Sequence, residues 1–153
     1  MKKLINNPDD LLPDSLAGFA NAHADIIQLQ RNPYVIHRKN QPAKPKVALI
    51  SGGGSGHEPL HSGFVGTGML DAACPGHIFT SPTPDQMIAA ATTVENGAGI
   101  LFIVKNYAGD IMNFEFASEL VTAPNETVIV ADDIALPKDH SMGRRGVAGT
   151  LII

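Results

Sequence analysis

The chain has 153 residues, 44% of them hydrophobic and 17% charged. That composition suits one globular domain and argues against a disordered or membrane-embedded chain. A net charge of −4, no tryptophan and only 5% aromatic residues offer neither a basic stripe nor stacking platforms for nucleic acid.

The single cysteine, Cys74, has no internal partner, which points to a reducing, cytoplasmic setting. No apolar run reaches membrane-spanning length, and MKKLINNPDD lacks the apolar stretch of a secretory signal. In chain order, Asn7-Pro8-Asp9-Asp10 reads as a helix start, with Asn7 as cap and Pro8 first, broken by Pro13. A helix over 14–23 follows, with Leu16, Phe19 and Ala20 on one face. Residues 32–46 carry three prolines and read as an extended connector.

KVALI (46–50) is a short apolar strand that stops where the glycines begin. HIFT (77–80), GILFIV (99–104) and ETVIVA (126–131) read as further strands. Thr83-Pro84-Asp85-Gln86 is a capping box, opening a helix with Met87, Ile88, Ala91 and Val94 on its apolar face. Asp110 reads as the cap of a helix over 111–121, where Phe114, Ala117 and Val121 recur at helical spacing. Strand and helix alternate, which predicts an α/β fold with a largely parallel sheet and helices on both faces.

The chemistry concentrates after the strands. SGGGSGHEP (51–59) has four glycines in five positions and reads as a loop at the carboxyl end of a strand. It lacks the Gly-Lys-Ser/Thr of a phosphate loop, and His57 stands where a dinucleotide fingerprint needs its third glycine. Glycines admit a ligand close to the backbone, and His57 adds an imidazole, a side chain suited to an acid/base role. His57 and His61 are spaced for a metal pair on a helix, but no third ligand except Glu58 lies nearby, so no metal is expected.

Lys105 and Asp110 follow another strand, offering a cation and a carboxylate, and Thr80-Ser81-Pro82-Thr83 adds hydroxyls to the same rim. His23, His37, His77 and His140 have no context that singles them out. Asp132 and Asp133 read as a turn or surface pair, and Arg144 and Arg145 as either an anion site or a solvated pair. The ending GRRGVAGTLII halts on three apolar residues, which predicts continuation into a packed element of a longer protein.

VALISGGGSGHEP, ACPGHIFTSPTPDQ, IVKNYAGDIMNFE and GRRGVAGT together make the chain resemble the dihydroxyacetone-binding K subunits of the dihydroxyacetone kinase family. The likeness runs over essentially the whole chain, and MKKLIN is similar to the bacterial phosphoenolpyruvate-dependent form. The resemblance implies a cytoplasmic, homodimeric two-domain α/β protein, of which residues 1–153 are the N-terminal domain and the second domain is absent. It implies dihydroxyacetone as substrate and phosphorylation to dihydroxyacetone phosphate.

The site it implies is Gly54, Ser55, Gly56, His57, Lys105 and Asp110. The base for the phosphorylated hydroxyl is either His57 or Asp110. The family holds the substrate carbonyl as a hemiaminal on a histidine of the second domain, so this fragment alone is expected to be inactive. It implies no cofactor on this subunit; ADP and magnesium belong to a separate phosphoryl-transfer subunit. The alternatives are a dihydroxyacetone-sensing transcriptional co-activator of the same fold and, from the glycines alone, a nucleotide-binding domain.

Overall fold

The computed structural model describes residues 3–137, 139, 141 and 143–153; His140 lies outside them. A short 3₁₀ turn, Pro8–Asp10, leads into α1 (Leu11–Ala22), and the Asn7 side chain accepts from the Asp9 amide. The expected break at Pro13 does not occur. Pro13 occupies the first turn of α1, where its missing N–H has no helical partner to lose.

Residues 32–46 are not a plain connector either. Strands β1 (Ile27–Arg31) and β2 (Tyr34–Arg38) form a hairpin across Asn32-Pro33, registered from Ile27 opposite Arg38 to Arg31 opposite Tyr34. Pro33 therefore marks a tight turn between two strands rather than a long extended stretch.

Strand β3 (Ala48–Ser55) runs through the glycines. It pairs in parallel with β4 (Ala72–Ile78) on one side and β5 (Ile100–Lys105) on the other. The stretch expected to be a loop is thus mostly strand, and the turn comes only at Gly56, whose φ is +103°. Strand β4 also begins earlier than HIFT implied. Pro75 is tolerated because the described β2 pairing reaches only Ala72 and Ala73, leaving that flank of Pro75 unpaired.

α2 (Pro84–Val94) opens with the expected capping box: the Thr83 amide donates to Gln86 Oε1 at 3.0 Å. α3 (Ala108–Leu120) starts earlier than expected. Tyr107 is its cap, and Asp110 sits inside the first turn rather than before it. β6 (Asn125–Val130) closes the sheet, whose order is β1-β2-β4-β3-β5-β6. β3, β4, β5 and β6 are mutually parallel, and the β1-β2 hairpin attaches antiparallel to β4.

Alternation along the strands sends two sets of side chains to two faces. Val35, Ile50, Phe102 and Val104 meet Met87, Val94 and Phe114 beneath α2 and α3. Phe102 and Phe114 pack edge to face, with ring centroids 5.7 Å apart. Leu12 and Leu16 of α1 cover Ile27, Ile36 and Ala73 on the other face, where Val65 and Leu70 close over Ile103. Helices therefore lie on both faces, as expected. Buried Asp71 ties β2 to β3: Arg38 and Lys46 pair with its carboxylate, which also accepts from the Leu49 amide at 2.8 Å. Among the described residues no helix is long and apolar enough to cross a membrane.

Candidate active site

β3 is flanked by β4 and β5, so the chain reverses its winding direction there. The crevice at the carboxyl ends of these three strands is where open α/β sheets collect ligands. Gly54, His57, Phe79, Ser81, Lys105, Tyr107 and Asp110 enclose about 90 Å³ at that point. The cleft is small, and larger depressions occur elsewhere on the surface. It is distinguished by chemistry: a buried ammonium, a buried carboxylate and an imidazole share one wall-to-wall space.

The glycines create this space by close approach. A Cβ on Gly54 would lie 2.6 Å from the Thr80 nitrogen and 2.8 Å from the Phe79 carbonyl carbon. Without it, the turn after β4 folds down onto β3, where the Phe79 amide donates to the Ser55 carbonyl at 2.8 Å. Phe79 has φ of +50°, a left-handed conformation rare outside glycine. Its ring stands edge-on to His57, with centroids 5.1 Å apart. His57 itself is exposed on the rim.

Lys105 ends β5 with 4% of its surface exposed. Burial pulls its pKa down, and the Asp110 carboxylate partly offsets this. Its ammonium lies 5.4 Å from the centre of the Tyr107 ring. Asp110, 4% exposed, has its pKa raised by burial, against the opposing pulls of the Ser81 hydroxyl, Lys105 and His57. Its place in the first turn of α3 also sets its charge at the positive end of the helix. A carboxylate with a raised pKa beside a buried cation can accept a proton from a hydroxyl.

Of the residues singled out from the sequence, Gly54, His57, Lys105 and Asp110 come together here. Ser55 faces away: its hydroxyl donates to the Gly76 carbonyl at 2.7 Å and is buried. The Gly56 amide turns to the Glu58 carboxylate, at 2.9 Å. Ser81 lines the cleft, as the rim of hydroxyls implied. Arg145 pairs with Asp133 at the surface, and Arg144 Nε donates to the Leu136 carbonyl. Asp132 accepts from the Val147 and Gly149 amides, both at 2.6 Å. That holds the GRRGVAG segment across the ends of β5 and β6, with Gly146 against Lys105.

Sequence reasoning missed the importance of His61. It is 6% exposed and lies against Gly53, on the same sheet face as Lys105. Burial, then Lys105 and His57, push its pKa down to about 3, so its ring is neutral. The signal for it was only its place four residues beyond His57. Cys74 is buried in β4 and its thiol pKa is raised by burial, which makes it a core residue rather than a nucleophile. Among the described residues no group of three or more His, Cys, Asp or Glu is placed to hold a metal ion.

Residues 17–153 match the model of the Dak1 domain. The whole chain is 51% identical to the dihydroxyacetone-binding subunit of a PEP-dependent dihydroxyacetone kinase from Escherichia coli (strain K12), spanning 44% of that protein. It is 50% identical over 99% of its length to the corresponding PTS-dependent subunit from Lactococcus lactis, spanning 47% of it. The chain thus spans under half the length of these curated relatives. Among solved structures it superposes on the dihydroxyacetone kinase from C. freundii in complex with AMP-PNP and Mg2+, with a TM-score of 0.91 and 40% identity, covering 99% of this chain and 29% of that one. A dihydroxyacetone kinase operon co-activator matches with a TM-score of 0.83 and 32% identity, over 91% of this chain and 43% of that one. The chain belongs to the Dak1 domain family.

Proposed function

We propose that this chain is the substrate-binding domain of a dihydroxyacetone kinase subunit. The observation that carries the reading is the convergence of His57, Lys105 and Asp110 around Gly54 in one cleft at the switch point of the sheet. A triose is small, uncharged and rich in oxygen. It suits a tight cleft with backbone at its floor and a few polar groups at its walls.

In this reading Asp110 is the base. It takes the proton from the triose hydroxyl as that oxygen attacks the donor phosphorus and the bond to the donor's leaving oxygen breaks. The raised pKa of Asp110 brings it nearer the range where a general base works best. Lys105 balances the carboxylate, and His57 on the rim hydrogen-bonds the triose. Phosphoryl transfer asks mainly for position and charge stabilisation, and this domain supplies position. Gly54 contacts the triose directly, while Ser55 and Gly56 hold the turn that presents His57.

The same reading makes the protein a cytoplasmic homodimer with residues 1–153 as its first domain. It meets a separate subunit that carries ADP and magnesium. The relatives at 51% and 50% identity carry kinase-subunit names, which supports the reading. The matching co-activator supports a second one, in which the domain senses a triose without transferring phosphate.

The test is turnover by the complete protein with the ADP-carrying subunit and a phosphoenolpyruvate-driven supply. Product forms if the kinase reading holds, and Asp110→Asn cuts turnover far more than triose binding. Unchanged turnover in that variant sinks the base role. Binding without product moves the assignment to the sensor.

A further inference from the structure

His61 Nε2 is a buried polar atom without a hydrogen-bond partner. The other ring nitrogen is engaged. Ser51 Oγ donates to the Ile103 carbonyl at 2.6 Å, so its lone pair accepts from His61 Nδ1–H at 2.9 Å. That chain of bonds fixes the tautomer and leaves Nε2 as a bare acceptor.

What Nε2 faces is the decisive point. A Cβ built on Gly53 would lie 3.1 Å from His61 Nε2 and 3.3 Å from Lys105 Cε. The imidazole and the lysine therefore face each other across the side chain that Gly53 lacks. A turn about the last torsions of Lys105 brings its ammonium toward that gap. An ammonium has three donors and a buried one needs acceptors. Lys105 has Asp110 and the Tyr107 ring beside it, His61 across Gly53, and His57 in the lining of the same cleft.

We propose that His61 is a positioning residue, whose Nε2 accepts a hydrogen bond from the Lys105 ammonium across Gly53 and so aims the remaining N–H groups at the cleft. Ser51 holds the imidazole in the tautomer this needs. Burial and the neighbouring cation keep the ring from taking a proton, so the acceptor persists across the working pH range. The inference deepens the reading above and rests on it for the purpose of Lys105, but not for the hydrogen bond itself.

The test reads Lys105 in the ligand-free chain, by following its ¹³Cε resonance through a pH titration, with Lys105→Met for assignment. His61→Asn keeps a donor for Ser51 and removes the acceptor near Lys105. His61→Gln restores a polar atom at the Nε2 position. The expected result is a Lys105 midpoint lowered by about one pH unit in His61→Asn and largely recovered in His61→Gln, because a hydrogen bond to the charged form is lost and regained. Gly53→Ala leaves both side chains chemically unchanged but sets a methyl between them, 3.1 Å from His61 Nε2 and 3.3 Å from Lys105 Cε, and so lowers the midpoint in the same direction.

Imidazole ¹⁵N shifts in the unsubstituted chain are expected to show the proton on Nδ1. A proton on Nε2 overturns the proposal. So does a midpoint that stays put in folded His61→Asn, or in Gly53→Ala should the first variant not fold. Failure of the triose to bind sinks the functional reading above and leaves this titration result standing.

Discussion

Replacing Gly54 by alanine tests whether the glycines serve close packing rather than loop motion. The added methyl would meet the Thr80 nitrogen at 2.6 Å, the Phe79 carbonyl carbon at 2.8 Å and Phe79 Cα at 2.9 Å. All three are backbone atoms, so no side chain can swing aside. The 79–80 turn has to retreat, and two hydrogen bonds hold it: Phe79 N–H to the Ser55 carbonyl at 2.8 Å and Thr80 N–H to the His77 carbonyl at 3.0 Å. Losing or stretching both, at about 0.5–1.5 kcal/mol each, gives a loss of about 1–3 kcal/mol, the usual range for overpacking.

For a chain of this size that lowers the melting temperature by about 2–4 °C per kcal/mol. The same retreat moves Phe79 and Ser81, two walls of the cleft, so under the proposed function triose binding falls as well. Gly18→Ala is the control: it lies in α1, and its Cβ would meet nothing within 4 Å. That change stabilises by about 0.5–1 kcal/mol through helix propensity. Thermal unfolding by circular dichroism and a dihydroxyacetone titration read both effects. A Gly54→Ala chain that melts and binds like the original refutes the close-packing argument.

Three further outcomes follow from the geometry. Asp71→Ala leaves Arg38 buried without its carboxylate and is expected to destabilise by about 3–5 kcal/mol, read by urea unfolding. Asp132 has its pKa lowered first by the Val147 amide, with the Gly149 amide adding to it. Its folded pKa is below the unfolded one, so its contribution is present above the ordinary carboxylate range and disappears as pH falls through the folded value. Hydrogen exchange at the Val147 and Gly149 amides should therefore gain protection loss on acidification, relative to amides of β5, and Asp132→Asn should flatten that dependence. Asp110→Asn removes the charge that holds the Lys105 pKa up, so the Lys105 titration midpoint moves down; an upward move would refute the pairing.

The sequence by itself determined the kind and order of most elements after residue 80, because those signals are local. The Thr83–Gln86 capping box, the Phe114 and Ala117 spacing and the apolar run GILFIV each act within one turn or one strand. It also named His57, Lys105 and Asp110, since residues that follow parallel strands share one edge of the sheet, while Gly54 came from the family resemblance.

Tertiary structure decided the rest. Glycine weakens a strand locally, yet Gly52, Gly53 and Gly54 are strand because β4 and the turn after it press too close for any side chain. The hairpin around Pro33 formed because β2 found a partner in β4, a pairing no local pattern announces. Asp110 looked like a cap, but the helix began three residues before the expected Ile111 and drew it inside, where burial raised its pKa. His61 gained its meaning only from Ser51 and Lys105, neighbours 10 and 44 positions away along the chain. A residue's type and its near neighbours set its propensity; what lies across the sheet sets its environment, and that environment is what turns side chains into a site.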